Sequence, residues 1–196
     1  MFDYGLTSGA SMESDTQQIA LGLRRGDVVV LEALVEQYQY RLVRYLICLL
    51  GKRDGIDDLV QETWLRVLER GSSYNGHSRF EPWLFRVARN IAVDAMRKKR
   101  TLSLDPDDDD RGVQPAPASN EPSPFTIAAR TEDADRLARS LQTLEPVHRE
   151  ALVLRFQEDL SLQEISAIVG APISTVASRI YRGLATLRPQ FEGETA

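Results

Sequence analysis

Apolar residues recur at three- and four-residue steps through most of this chain, and period-two alternation is missing. Such spacing stacks side chains on one face of a helix, so the pattern predicts helices and no sheet. Residues 16–24 form a first short helix. Gly26 then supplies a stop and Asp27 an N-cap for the next. That second helix carries Leu31, Leu34, Val35, Tyr38, Leu42, Tyr45, Leu46 and Leu49 on one stripe and stops at Gly51. A third runs from about Asp57 to Arg70 and ends at Gly71. A fourth begins near Phe80–Pro82, where proline suits a first turn.

The pattern breaks after Arg100. "DPDDDDRGVQPAPASNEPSP" is rich in Asp and Pro and almost devoid of apolar side chains. Burial there cannot offset the entropy of ordering, which predicts a flexible acidic, Pro-rich linker over residues 101–126. Asp105, Asp107 and Asp109 imitate the start of a calcium loop. The position that needs glycine is Asp110, however, and the closing acid position is Ala116, so calcium binding is not expected. Helices resume with Leu137, Leu141 and Leu144, then with a helix opened by Pro146 that carries Ala151, Leu152, Leu154 and Phe156. The expected architecture is all-α. Residues 1–11 are a disordered N-terminus, and two small helical domains, 12–100 and 127–192, are joined by the linker. Each domain is small enough that its core must be compact or lean on a partner.

The most specific stretch is "SLQEISAIVGAPISTVASRIYRGLATLR". Ser161 and Glu164 form a capping box, Gly170 suits a left-handed stop, and "AP" makes the turn. Ile165, Ile168 and Val169 face inward on the first helix; Val176, Ile180, Leu184 and Leu187 do so on the second. Short helix, glycine turn and second helix make a helix-turn-helix, whose second helix fits the DNA major groove. Its polar face holds Ser174, Thr175, Ser178, Arg179 and Arg182, which suit phosphates and guanine edges. An ordinary helical hairpin with a solvated face is the competing description.

Composition adds a contradiction. The chain carries a net charge of −5, yet residues 79–100 hold seven Lys/Arg against two acids, with Phe80, Trp83 and Phe85 at the front. On the fourth helix Leu84, Val87, Ala88, Ile91 and Ala95 form the apolar stripe, while Arg86, Arg89, Asn90, Val93 and Arg97 lie elsewhere. Basic charge tracks a phosphate backbone, and aromatic rings stack on unpaired bases. The preceding loop brings Asn75, Gly76, His77, Ser78 and Arg79, a polar setting for one extruded base. Trp83 and Phe85 fit a protein core equally well. On the third helix Asp57, Asp58, Gln61, Glu62 and Arg66 make a polar face opposite Val60, Trp64 and Val67. The acids complement the helix dipole, and the same face suits a basic partner helix.

Other classes lose ground. Hydrophobic residues at 42% and charged residues at 27% are the proportions of a soluble globular protein. With no apolar run of membrane-span length and no signal peptide, a cytoplasmic protein without membrane insertion is expected. The single Cys48 sits in "YLICLL" and reads as a small buried hydrophobe. No phosphate-binding glycine loop or metal-ligand cluster is seen, and His77 and His148, the only histidines, are far apart. No catalytic residue, metal or cofactor is expected, so the chain is not read as an enzyme. A stand-alone helix-turn-helix regulator with a helical sensory domain is the rival reading.

Taken together, the segments resemble a bacterial RNA polymerase sigma factor of the extracytoplasmic-function (ECF, group IV) type. "DDLVQETWLRVL" resembles the part of region 2 that grips the β′ clamp helices. "YNGHSRFEPWLFRVARNIAVDAMR" resembles the part that melts and reads the minus-ten element. "LEPVHREALVLRF" with the helix-turn-helix resembles region 4, which reads the minus-thirty-five element. The resemblance implies polymerase contacts at Asp57, Asp58, Gln61, Glu62 and Arg66. It implies minus-ten contacts at Asn75, His77, Ser78, Arg79, Trp83, Arg86, Arg89, Asn90 and Arg97. Minus-thirty-five contacts fall on Ser174, Thr175, Ser178, Arg179 and Arg182. The implied partners are the β and β′ subunits of core polymerase, promoter DNA and an anti-sigma factor, with the acidic linker threading toward the polymerase active centre. Ala177, where the family often has Lys or Arg, and His77, where an acid is frequent, depart from the pattern.

Overall fold

A computed structural model describes residues 8–102 and 132–192, and among them no strand occurs. The N-terminal half comprises α1 (Ser8–Arg25), α2 (Val28–Leu50), α3 (Ile56–Arg70), a 3-10 turn (Gly71–Ser73) and α4 (Phe80–Leu102). The C-terminal half comprises α5 (Glu132–Gln142), α6 (Pro146–Leu152), a π turn (Val153–Gln157), α7 (Leu162–Val169) and α8 (Ile173–Glu192).

The expected boundaries need two corrections. α1 reaches back to Ser8, so residues 8–11 are helical rather than disordered. Once a helix is nucleated, each added residue gains a backbone hydrogen bond, and no proline stops it there. α4 runs through Leu102, two residues into the expected linker. Residues 1–7 and 103–131, with the rest of that linker and its Asp run, lie outside the described residues. The caps otherwise form as the residue types dictate. Asp27 accepts the Val29 amide at 3.0 Å, and Gly51 closes α2 in the left-handed conformation.

α2 is the central element, packed against α1, α3, α4 and α6. Its Leu34, Tyr38, Leu42, Tyr45, Leu46 and Leu49 meet Val60, Trp64 and Val67 of α3 and Phe80, Leu84, Phe85, Ala88 and Ala92 of α4. The rings interlock: Tyr45 meets Phe85 edge-on at 5.0 Å, and Tyr74 meets Phe80 at 5.3 Å.

In the C-terminal half α8 packs on α6 and α7. The capping box forms, with Ser161 Oγ accepting the Glu164 amide and Glu164 Oε2 accepting the Ser161 amide. Gly170 makes the turn at φ 65°, a conformation costly for other residues. At Gly183 a Cβ would stand 2.9 Å from Leu152 Cδ1, so a larger residue would oblige that side chain to move. α8 thus turns its Gly183 side toward α6. Val176, Gly183 and Leu187 are buried, whereas Leu184, expected inward, is rotated out and 43% exposed. Phe156 is likewise exposed, because the π turn adds a residue to the helical phase after Leu152. Leu137 is also exposed, since α5 docks through the side holding Ser140, Leu141 and Leu144.

The two halves are not separate bodies here. Val153, Leu154, Leu160, Ile165, Ile168, Val169 and Val176 join the apolar cluster of the N-terminal half. The joints are α2 against α6 and α4 against α7.

Candidate nucleic-acid interface

The loop before α4 is held from both sides. Tyr74 is buried, and its hydroxyl donates to the Ser78 carbonyl. Burial, then the charge of Glu81, pushes this phenol up to about 12, so it remains a donor. The Asn75 side-chain oxygen accepts the His77 amide at 3.0 Å, and Thr16 of α1 donates to the Gly76 carbonyl at 2.9 Å. Asn75, His77 and Ser78 are thereby presented to solvent on a braced loop. Arg79 is turned aside: its Nη1 donates to the Asp159 carbonyl at 3.1 Å and its Nη2 lies 3.4 Å from Glu81.

The aromatic residues divide. Phe80 and Phe85 are fully buried, which settles them as core rather than base-stacking rings. Trp83 is half-buried at the rim, tilted against Tyr74 and Phe80. Farther along α4, Arg86, Asn90 and Arg97 are exposed. Arg89 faces the C-terminal half instead, its Nε 2.8 Å from Glu150 Oε1. The predicted minus-ten residues therefore share one face, but Arg79 and Arg89 are engaged by the C-terminal half, and Arg97 lies 3.9 Å from Asp94 on its own helix.

On α3, Asp57, Asp58 and Gln61 are exposed, while Glu62 accepts from Arg66 at 2.7 Å. Such a surface pair is worth little in stability. Beside it lies a groove of 460 Å³ between α2 and α3, with Val35, Val43, Leu65 and Leu68 on its walls and Asp57 and Gln61 at its edge. Leu65 and Leu68 are about half exposed. The α3 face thus couples an apolar contact to a rim of acidic and amide groups, as docking of a basic amphipathic helix requires.

On α8, Ser174, Ser178 and Arg182 are exposed and Thr175 and Arg179 half-buried. Ala177 also points to solvent, so a small side chain stands where a longer one has room to reach.

Comparison with known proteins bears on all three faces. The family pattern of Sigma-70 region 2 matches residues 34–101, and that of Sigma-70, region 4 matches residues 134–187. The RNA polymerase sigma factor CarQ of Myxococcus xanthus is 32% identical over 170 residues, 84% of this chain and 91% of that protein. The ECF RNA polymerase sigma factor SigE of Mycolicibacterium smegmatis is 35% identical over 159 residues, 80% of this chain. The chain belongs to the ECF RNA polymerase sigma factors. It spans 60% of the length of the Mycolicibacterium relative. The fold is that of the sigma factor RpoE in complex with the anti-sigma factor NepR from Bartonella quintana. That likeness has a TM-score of 0.64 and 24% identity, over 83% of this chain and 97% of that one.

Within this sigma factor the region 2 match takes in α2 to α4, hence the groove, the loop and the basic helix. The region 4 match takes in the helix-turn-helix. No helix among the described residues is long and apolar enough to cross a membrane. Sequence reasoning missed Arg41, Glu150 and Glu158. A signal was present. Arg41 lies three residues after Tyr38 and four before Tyr45, on the buried stripe of α2. Glu150 precedes Val153 and Leu154 by three and four residues, so it too sits in core phase. A charge at an apolar phase position announces a buried partner.

Proposed function

We propose that this sigma factor binds core RNA polymerase and directs promoter-specific initiation. Residues 12–100 dock on the polymerase through Asp57, Asp58, Gln61, Glu62, Arg66 and the neighbouring groove. They then open and read the minus-ten element with the loop from Asn75 to Arg79, Trp83 and the polar face of α4. Residues 127–192 read the minus-thirty-five element through α8, and segment 101–126 is the tether. The observation that supports this reading is the joint occurrence of an apolar groove beside an acidic helix face and two helices with exposed, arginine-bearing faces on one chain. A stand-alone regulator has no use for the groove or the braced loop.

The charge balance fits. A chain of net charge −5 is a poor ligand for free DNA, and local arginines become effective once polymerase places them at the phosphates. The chemistry of RNA synthesis belongs to the polymerase, so this chain acts as a DNA-binding initiation factor without catalysis or cofactor of its own. Control by an anti-sigma factor belongs to the same reading.

Run-off transcription with core polymerase and a genomic promoter library tests it. Transcripts from a defined promoter set should depend on the added chain, and Asp58→Arg with Glu62→Arg should abolish both transcripts and co-purification with core enzyme. Operator binding by a dimer of the chain, with no change in transcripts, would instead establish the regulator.

A further inference from the structure

A cavity of 670 Å³ lies between α1, α2 and the start of α4. Small-molecule sites span roughly 300–1,000 Å³, so it has the size of one. Its origin is local. α1 is pinned against α2 at Gly22, where a Cβ would stand 2.6 Å from Val30 Cγ2. Nearer its N-terminus, Thr16 donates to the Gly76 carbonyl at 2.9 Å, which holds α1 to the loop before α4. Along the stretch between these contacts α2 offers only the methyl group of Ala33, and the space stays open. The floor is apolar. Leu34, Tyr38 and Phe80 are buried there, with the Tyr38 and Phe80 rings 5.4 Å apart, and Ile19 and Val30 stand half-buried beside them. The polar lining is acidic: Asp15, Glu81 and Asp159 face one guanidinium, that of Arg79. Arg79 is already committed, at 3.1 Å to the Asp159 carbonyl and 3.4 Å to Glu81, and Arg41 lies 3.7 Å from the same Glu81. Glu81 is thereby balanced. The Asp15 and Asp159 carboxylates are exposed and enter no ion pair among the described residues.

We propose that this cavity is a binding site for a small amphipathic cation, a protonated amine carried on an apolar or aromatic body. The body displaces water from Ile19, Val30 and the floor, and the ammonium group meets Asp15 and Asp159 at the mouth. Carboxylates beside an apolar wall attract a cation more strongly than the same acids in open water. An anion is opposed, because the one guanidinium of the lining is taken. A bare metal ion finds no set of three ligating side chains among the described residues. The wall is drawn from α1, α2, the start of α4 and the turn at Asp159, so a bound amine ties these segments together and raises stability by mass action. The site shares no residue with the α3 groove, and it stands independently of the sigma reading.

Three probes with one body and different heads decide it: phenethylamine, the neutral phenethyl alcohol and the anion hydrocinnamate. Each is titrated into the isotope-labelled full chain at about 0.15 M salt, and backbone amide resonances are followed. Phenethylamine should shift the amides from Asp15 to Ile19 and from Val30 to Tyr38, saturate in the low millimolar range, and bind about tenfold more tightly than the other two. Asp15→Asn with Asp159→Asn should weaken the amine about tenfold and leave the alcohol unchanged. Glu32→Gln with Glu36→Gln, acids of α2 outside the lining, should leave the amine unchanged. Ala33→Phe fills the cavity from an exposed helix position and should abolish amine binding. Unshifted amides in α3 and α8, with cooperative urea unfolding, show that each variant keeps the fold. The site is refuted if the amine does not saturate by about 10 mM, if the alcohol or the anion binds as well, or if the shifts fall elsewhere. Equal weakening by the Glu32 and Glu36 changes also refutes it, because net charge alone would then hold the amine.

Discussion

α4 and α8 are both amphipathic helices with an arginine-bearing face, yet the structure treats the two faces differently. α4 buries Phe80, Leu84 and Phe85 on its inner side, and its outer side meets the C-terminal half through Arg89, with Arg79 engaged just before it. α8 packs on α5, α6 and α7 through the side holding Val176, Ile180, Gly183 and Leu187 and leaves Ser174, Ser178 and Arg182 in solvent. A basic helical face therefore states what a surface can bind, and its surroundings in the fold state whether it is available.

The comparison breaks first on the inner sides. Phe85→Ala should cost about 3–5 kcal/mol in urea unfolding, because a fully enclosed ring that packs on Tyr45 leaves a cavity.

The outer sides separate next. Arg89→Ala removes a charged partner of a buried acid and should lower unfolding stability by about 1–3 kcal/mol. Arg179→Ala should leave stability within about 0.5 kcal/mol and instead weaken minus-thirty-five recognition by about 1–3 kcal/mol if it pairs with a base. Competition between promoter duplexes for the holoenzyme measures that second effect. An unchanged promoter preference and salt slope would remove Arg179 from the interface.

Alkali should act on the N-terminal side. Burial, then Glu150, holds the Tyr45 phenol well above its ordinary value, and Tyr74 is pushed up to about 12. The folded chain keeps protons that the unfolded chain releases above about pH 10. Stability is therefore intact below that pH and falls as pH rises, by about 1.4 kcal/mol per pH unit for each such group. Urea midpoints between pH 9 and about 11.5 follow it. Smallest of all, Ser161→Ala removes the capping box of the helix-turn-helix and should cost about 1 kcal/mol, read from the thermal midpoint.

Much of the fold was legible because its signals are local. Asp27, Gly51, Ser161 with Glu164, and Gly170 each act within one turn of a helix, and all four cap as expected. The three candidate faces were legible for the same reason, since helical periodicity alone groups Asp57, Asp58 and Gln61, or Ser174, Ser178 and Arg182. The fates of Phe85, Leu184 and Phe156 were not. Each turns on a neighbour distant in sequence or on a phase shift: Tyr45 for Phe85, Leu152 against Gly183 for Leu184, the π turn for Phe156.

By itself the chain's order of residues determined the capped helix ends and which chemistry each face carries, because caps and amphipathic spacing act over a few bonds; the uncapped ends of α1 and α4 it did not fix. Only the tertiary structure decided which arginines are open. That choice depends on Glu150 and Glu158 meeting Arg89 and Arg41 across sixty-one and 117 positions of sequence, through pairings that no local rule encodes.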